Sequence, residues 1–215
     1  GQFEVRLIHG ITGSGKTEVY LQSMAQYVTH GGQCLLLVPE INLTPQLVQR
    51  VQSRFPLACI ALLNSRLAEG ERTQHWLNAA QGRAQIVLGT RMAILCPMPN
   101  LRLIIVDEEH DSAYKQQEGV RYSARDVAIY RARLQKVAIV LGSATPSLES
   151  HYNQQQGRYV YLPLRHRAVQ SAQLPQIELL DMRRRPAVDG LAEPTIAALQ
   201  TEISTGGQAL VFLNR

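Results

Sequence analysis

The sequence predicts an α/β fold in which a parallel sheet carries helices on both faces. Apolar, β-branched runs of strand length alternate with amphipathic stretches, which is typical of a parallel sheet flanked by helices. Hydrophobic residues make up 45% of the chain and charged residues 18%, as in ordinary globular proteins. The predicted strands are Val5–His9, Cys34–Val38, Leu57–Leu63, Gln85–Leu88, Leu103–Val106 and Val137–Leu141.

Residues that favour the ends of helices agree with this alternation of strands and helices. Gly31-Gly32 should end a helix that begins at Lys16, because glycine is favoured just after a helix. Thr44-Pro45 and Thr145-Pro146 each offer a hydroxyl N-cap followed by proline at the first helical position. Ser123 should open a further helix through a capping box.

The pattern weakens after residue 161, which divides the chain. We predict a main domain over 1–163, a connector over 164–190 and the start of a second, truncated domain over 191–215. Gln176–Asp181 is the one strand-like run of the connector, and the last part should contain a helix, Glu193–Thr205, and a strand, Ala209–Leu213. The chain begins without methionine and stops just after an apolar run, so we expect it to be part of a longer protein.

Charge and cysteine content limit the function classes. The net charge of +5 and a pI near 9.3 permit a polyanionic partner, although a mildly basic solvated surface explains them almost as well. Cys34, Cys59 and Cys96 show no CxxC spacing, so we predict neither zinc nor a disulfide among these residues. The apolar runs are far shorter than the roughly 20 residues of a membrane span, and no signal peptide is visible, so we expect a cytoplasmic protein without membrane partners.

A phosphate-binding loop follows the first predicted strand. The chain reads G-x-x-x-x-G-K-T there, in the strand-loop-helix setting that the motif requires. Glycines let backbone N–H groups turn toward phosphate oxygens at the positive end of the following helix. Lys16 should reach the β- and γ-phosphates of ATP, and Thr17 should ligate Mg²⁺. The predicted nucleotide-binding residues are Gly10, Ile11, Thr12, Gly13, Ser14, Gly15, Lys16 and Thr17.

Carboxylates follow the strand Leu103–Val106, where α/β sheets place their ligands. Asp107 suits a contact to Mg²⁺, and Glu108 suits orienting or deprotonating the attacking water, with Lys16 as the third catalytic residue. An acidic cluster after a strand is, by itself, more often a solvated turn. Together with the phosphate-binding loop it predicts NTP hydrolysis.

A third segment, Gly142–Pro146, places Ser143 and Thr145 after the last predicted strand, where hydroxyls can sense the carboxylates and phosphates. It can equally be a helix N-cap turn, and both interpretations can hold together. The phosphate-binding loop, the DEEH box formed by Asp107–His110 and this segment, in this order, resemble motifs I, II and III of superfamily 2 helicases. The resemblance implies a RecA-like P-loop NTPase lobe over 1–163.

Four segments indicate a particular family among these helicases: Gly13–Tyr20, Val38–Gln46, Gly89–Arg91, and Asp107–Asp111 with Lys115–Gly119. They are similar to the PriA family of bacterial replication-restart helicases. The likeness implies that Thr44, Thr90 and Arg91 face single-stranded DNA and that residues 114–126 form an aromatic-rich loop that reports DNA occupancy to the ATPase site. His110 is expected to link the carboxylates to a second lobe, although a lone histidine is more often structural.

Residues of that loop suit nucleic acid. Tyr114 and Tyr122 could stack on bases, while Lys115, Arg121 and Arg125 could meet phosphates. Without the resemblance, a solvated polar turn explains the loop equally well. Arg183-Arg184-Arg185 is more simply a solvated surface than a dedicated DNA contact.

The family implies an ATP-dependent 3′-to-5′ DNA helicase that acts at stalled or abandoned replication forks and restarts replication through primosome assembly. Implied partners are single-stranded and forked DNA, primosome proteins and single-stranded DNA-binding protein; implied zinc lies in a part of the protein outside these residues. Hydrolysis in related enzymes also needs an arginine finger, which the family places in a second lobe. Residues 1–215 alone should therefore be weakly active or inactive. The alternatives are another superfamily 2 DNA translocase and an ATP-gated DNA-binding module.

Overall fold

The computed structural model describes residues 3–168, 176–184 and 187–213. They fall into two units, Gly1–Ala172 and Gln173–Arg215. The first is built on a seven-stranded sheet in the order β3-β4-β2-β5-β8-β1-β9, in which every pair of neighbours is parallel. Its strands are β1 (Glu4–Gly10), β2 (Gln33–Leu37), β3 (Ile60–Leu63), β4 (Ile86–Gly89), β5 (Leu101–Asp107), β8 (Ala138–Ser143) and β9 (Val160–Leu164), and a small antiparallel pair, β6 (Lys115–Gln116) and β7 (Tyr122–Ser123), stands apart.

The helices of this unit are α1 (Lys16–Val28), α2 (Pro45–Arg54), α3 (Glu69–Ala80), α4 (Ala124–Gln135) and α5 (Leu148–Gln155). They lie on both faces of the sheet. Successive side chains of a strand point to opposite faces, so neighbouring residues of one strand pack against different helices. Ile104 of β5 belongs to the core cluster shared with α4, whereas Ile105 belongs to the cluster shared with α1 and α2. The predicted α/β fold is confirmed, with central strands buried on both faces.

Within the seven-stranded sheet, the strand predictions fail in two places. The predicted strand at Leu57 begins only at Ile60, because Leu57 lies in a turn and is 98% exposed. Strand β9 was not predicted at all. Among the described residues it lies at a sheet edge and pairs with β1 alone. Its residues are mostly exposed and it contains Pro163, so the continuous apolar run that marks a buried parallel strand is missing.

Two of the three predicted N-caps are present. The Thr44 hydroxyl accepts a hydrogen bond from Leu47 N at 3.3 Å, and the Ser123 hydroxyl accepts one from Asp126 N at 3.3 Å. The third prediction is wrong, because α5 begins after Ser147, whose hydroxyl accepts from Ser150 N, and not after Thr145. The chain leaves α1 at Val28, three residues before Gly31-Gly32.

The second unit contains a short hairpin, β10 (Ala187–Val188) and β11 (Leu191–Ala192), followed by α6 (Glu193–Ser204). The predicted strands Gln176–Asp181 and Ala209–Leu213 are wrong, since both segments are irregular. Neither has a neighbouring strand within the described residues, so their backbone groups lack the ladder that would define a strand. Across the described ranges, no helix combines the length and the apolar character needed to cross a membrane.

Candidate nucleotide-binding site

The phosphate-binding loop joins the end of β1 to the start of α1. Gly13 and Gly15 have φ of 79° and 89°, backbone conformations that glycine adopts without a steric penalty. Ser14 N donates to the Ile11 carbonyl at 3.0 Å, which closes the turn. A side chain at Gly10 would begin 2.4 Å from the Ser14 hydroxyl oxygen. Local glycine geometry therefore sets the shape of the loop.

Lys16 lies between the loop and the DEEH box. Its ammonium donates to the Gly10 carbonyl at 2.9 Å and lies 3.5 Å from Oε1 of Glu108. The side chain is only 10% exposed, so its charge acts in a partly desolvated setting. Thr17 lines the same cleft, and its hydroxyl has no hydrogen-bond partner among the described residues.

Asp107 ends β5, and two buried tyrosines hold it. The Tyr20 hydroxyl, from α1, donates to Oδ1 of Asp107 at 2.9 Å, and the Tyr114 hydroxyl donates to the Asp107 main-chain carbonyl at 2.6 Å. Burial raises the pKa of the Asp107 carboxyl, and the Tyr20 hydrogen bond partly offsets that rise. A partly buried carboxylate that is oriented in this way is a suitable ligand for a bound cation.

Glu108 follows with φ of 46°, a left-handed conformation that is unusual for a residue other than glycine. This turn directs Glu108 toward Lys16 and also leaves its Oε2 3.7 Å from Nδ1 of His110. Strained backbone of this kind is common at functional sites.

The resulting cleft has a volume of about 440 Å³. Sequence reasoning missed Arg50 of α2, an exposed cation on its wall, since an arginine at an amphipathic helix surface carries no local signal. The Ala168 N–H donates to the Gly13 carbonyl at 2.9 Å and so ties the segment after β9 to the loop. The cleft is lined by Thr12, Gly13, Ser14, Gly15, Lys16, Thr17, Glu18, Arg50, Asp107, Glu108 and Ala168.

The donor set of this cleft fits a magnesium nucleotide. The Ser14 hydroxyl is buried without a hydrogen-bond partner in the described part of the chain, beside loop glycines and the start of a helix. Mg²⁺ commonly uses one or two carboxylates together with substrate phosphates. The described residues contain no group of three or more His, Cys, Asp or Glu that could hold a metal by itself.

The third segment meets the DEEH box through His110. Its Nδ1 lies 2.7 Å from the Ser143 hydroxyl, and its Nε2 lies 3.4 Å from the Thr145 hydroxyl. The register of β5 and β8 causes this meeting, because Asp107 pairs with Gly142 and both strands end at the same edge. The structure thus brings together His110, Ser143 and Thr145.

Glu109, the third residue of the box, is a buried hub that sequence reasoning missed. Its carboxylate accepts hydrogen bonds from Ser147 N at 2.7 Å, from the Ser150 hydroxyl at 2.8 Å and from Arg125 at 3.1 Å. The expected phosphate contact of Arg125 is therefore wrong: this guanidinium is an internal partner of Glu109. Arg125 lies inside the capping box, next to Asp126, and this position could have indicated an internal ion pair.

Contacts of Tyr114 and Arg91 hold the aromatic-rich loop in place. Tyr114 is 1% exposed, so its expected stacking on bases is wrong, and its hydroxyl is used on Asp107. Arg91 donates to the carbonyls of Ala113 and Lys115 at 2.9 and 3.3 Å and so connects the Gly89–Arg91 segment with this loop.

The remaining predicted DNA-side residues lie beyond the carboxyl ends of the strands. Lys115 and Arg121 are exposed, and Tyr122 is half-buried against the core. Thr44 is used as the cap of α2, and Thr90, which follows β4, is buried. This is the edge where parallel α/β sheets bind ligands.

Fold and site together define a P-loop nucleotide-binding lobe. A family profile described as DEAD/DEAH box helicase matches residues 4–153, so the chain belongs to the DEAD/DEAH box helicase family, whose NTPase domains use a nucleotide and Mg²⁺.

Within that family, the chain is similar to proteins named Replication restart protein PriA. It is 46% identical to the one from Haemophilus influenzae, over 99% of this chain and 29% of that protein, and 43% identical to the one from Bacillus subtilis, over 100% and 27%. The chain thus spans less than a third of the length of these relatives.

Solved structures share the fold. RecG bound to a three-way DNA junction matches with a TM-score of 0.65 at 23% identity, over 94% of this chain and 25% of RecG. The Hef helicase domain of Pyrococcus furiosus matches with a TM-score of 0.53 at 22% identity, over 75% of this chain and 35% of that one. At these identities the likeness shows the fold alone.

Proposed function

We propose that the chain is the ATP-binding lobe of an ATP-dependent 3′-to-5′ DNA helicase that acts at stalled or abandoned replication forks and restarts replication through primosome assembly. The observation that carries the proposal is the meeting of Lys16, Asp107 and Glu108 in one cleft, with Lys16 and Glu108 3.5 Å apart. The names and the 43–46% identity of the relatives support the role in restart.

Each cleft residue has one task in this proposal. Bound ATP with Mg²⁺ supplies the phosphoryl group that is transferred to water. Lys16 binds the β- and γ-phosphates at the start of α1, where loop N–H groups add further donors. Thr17 and Asp107 hold the cation. Glu108 orients the attacking water and accepts its proton, because it is the carboxylate that faces Lys16 across the cleft.

DNA occupies the carboxyl edge of the sheet in this proposal. Lys115 and Arg121 meet phosphates, and Tyr122 offers an aromatic surface. Thr44, Thr90 and Arg91 follow neighbouring strands toward the same edge. The partners are single-stranded and forked DNA, primosome proteins and single-stranded DNA-binding protein, in the cytoplasm at the nucleoid.

Coupling between DNA and ATP runs through contacts of the DEEH box. Tyr114 joins the loop to Asp107, while His110 joins Glu108 to Ser143 and Thr145. A shift of the loop therefore moves a residue that holds the cation. The His110 ring and the two hydroxyls can exchange hydrogen-bond partners when the charge in the cleft changes.

Phosphate release by the protein at its full natural length, with and without forked DNA, tests the proposal. We expect forked DNA to stimulate release, and Lys16→Ala to reduce it by about 10² or more while the fold persists. Arg133→Ala, an exposed site in the last turn of α4, is the matched control and should leave release unchanged. Residues 1–215 alone should bind Mg·ATP weakly and hydrolyse it slowly.

ATP-dependent strand separation that starts from a 3′ tail would support the motor and its polarity. DNA binding that changes with ATP but without stimulated phosphate release would favour an ATP-gated module instead. Unchanged turnover in Lys16→Ala would exclude the proposed phosphate site.

A further inference from the structure

A second pocket, separate from the nucleotide cleft, lies beyond the carboxyl ends of β3 and β4. Its volume is about 330 Å³, which is within the range of small-molecule sites. Leu63, Trp76, Leu77 and Met92 form the apolar wall. None of the residues proposed for phosphate or Mg²⁺ binding lines it.

Local structure fixes the shape of this pocket. Trp76 lies four residues after Arg72 on α3, so both side chains share one helix face. At the floor, Thr90 N donates to the Leu63 carbonyl at 3.0 Å. A side chain at Gly89 would begin 2.5 Å from that carbonyl oxygen, so glycine is needed for the close approach of β3 and β4. Trp76 also packs against the core, which holds the indole in place.

The rim of the pocket is polar and, on balance, positive. Two arginines, Arg72 and Arg91, and one acid, Glu40, line it, and Oε1 of Glu40 already accepts from the Ser65 hydroxyl at 3.2 Å. Within the described ranges, the Arg72 guanidinium, the Asn64 side-chain amide nitrogen and the Thr90 hydroxyl make no hydrogen bond. The pocket thus combines a flat aromatic wall with unused donors and a hydroxyl acceptor.

We propose that this pocket binds one unpaired base of single-stranded DNA. Trp76 stacks on the base, Asn64 and Thr90 meet its polar edge, and Arg72 binds a flanking phosphate. Stacking on aromatic side chains tolerates every base, because each base has a π-face. The partly exposed Leu77 and Met92 cover the remaining surface of the base. The proposal rests on the proposed function and adds a base-binding subsite to it.

Charge distinguishes this occupant from an apolar peptide segment. A purely apolar side chain would leave Asn64 and Thr90 desolvated without partners, which is unfavourable. A base satisfies those atoms, and its phosphates compensate the arginines. The position fits as well, since Thr90 and Arg91 line the pocket and Arg91 also binds the carbonyls of the aromatic-rich loop.

The chain contains a single tryptophan, so Trp76 fluorescence reports on this pocket directly. We would titrate the 215-residue chain, at low salt, with a single-stranded oligonucleotide and with an abasic strand of equal length. We expect strong quenching by the normal strand and little quenching by the abasic strand at equal occupancy, because only a base can stack on the indole. Equal quenching by both strands, or binding without any change in fluorescence, would overturn the proposal.

Variants separate stacking from folding. Trp76→Ala should weaken binding of the normal strand by about 5- to 150-fold, the range measured for lost base stacking, and leave abasic binding unchanged. Trp76→Phe keeps an aromatic ring and should lose less. Tyr130→Ala, an exposed aromatic site on α4, is the control and should bind as the parent does. An equal loss for normal and abasic strands in Trp76→Ala would overturn the proposal, because the defect would then not concern the base.

Failure of this proposal can be told apart from failure of the proposed function. Binding of both strands with no preference for bases would remove the base subsite and keep a DNA-binding lobe. If neither strand binds while an apolar peptide does quench Trp76, both the subsite and the DNA side of the proposed function fail. ATP binding, followed with a fluorescent analogue, is an independent readout of the cleft.

Discussion

The nucleotide cleft and the segment after it, residues 109–126, are adjacent in the chain but are held in different ways. Backbone turns shape the cleft: two glycines with positive φ and the left-handed Glu108 direct its groups. Side chains hold the segment, through Glu109 to Arg125 and through Tyr114 to Asp107. A motif that acts through local backbone geometry can therefore be recognised in the sequence. A motif that acts through side-chain contacts with residues elsewhere in the sequence cannot.

Removing the buried hub should have the largest effect on this difference. Glu109→Ala leaves Arg125 and the Ser147 and Ser150 hydroxyls without their acceptor in a buried setting. We expect the free energy of unfolding to fall by about 3–5 kcal/mol, as when one partner of a buried ion pair is deleted. Urea unfolding followed by circular dichroism measures the change.

Glu149→Ala is the matched control. Glu149 also approaches Arg125, at 3.9 Å, but its side chain is 65% exposed whereas that of Glu109 is fully buried. Its loss should cost no more than about 0.5 kcal/mol. Equal effects of the two substitutions would mean that the segment does not depend on the hub.

The two tyrosines on Asp107 allow a sharper comparison at one residue. Tyr20→Phe frees Oδ1 of the carboxylate, so nucleotide binding should require about 10-fold more Mg²⁺, as is typical when a partner of a metal ligand is lost. Tyr114→Phe frees only a main-chain carbonyl, so it should lower stability by about 1 kcal/mol and leave the Mg²⁺ requirement unchanged. Mg²⁺ titrations with a fluorescent ATP analogue measure the difference.

Tyr130→Phe, at an exposed hydroxyl, should change neither quantity. A similar Mg²⁺ shift in Tyr20→Phe and Tyr114→Phe would show that both tyrosines act by general support of the fold.

The last comparison concerns Arg121, whose removal should affect stability little. It is exposed and forms no ion pair in the described ranges, so Arg121→Ala should change stability by less than about 0.5 kcal/mol. If it contacts a phosphate, the salt dependence of DNA binding should lose about one unit of slope. Arg125→Ala should instead lower stability and leave the slope unchanged, because Arg125 is the ion-pair partner of Glu109. If the slope changed in Arg125→Ala and not in Arg121→Ala, Arg125 and not Arg121 would be the residue that contacts phosphate.

The sequence predicted the sheet and the cleft because both depend on short-range patterns. Glycine spacing and a strand that ends in Asp107 are visible within ten residues. Burial of Tyr114 and Arg125 was not visible, because polar neighbours in the chain made them look solvated. Their partners, Asp107 and Glu109, are offered by a turn whose direction depends on Glu108. Arg50 and the Trp76 pocket likewise arise only when separate elements pack together.

Strand β9 bears on self-association. As the outer strand beside β1, and with no second neighbour in the described ranges, it offers Val160, Tyr161 and Leu162 as partly exposed apolar side chains on an open ladder. Such an edge invites pairing with another chain. Pro163 lacks an N–H and so removes one donor from the row that an added strand would need. A single imino acid thus makes this edge a poorer template for an added strand.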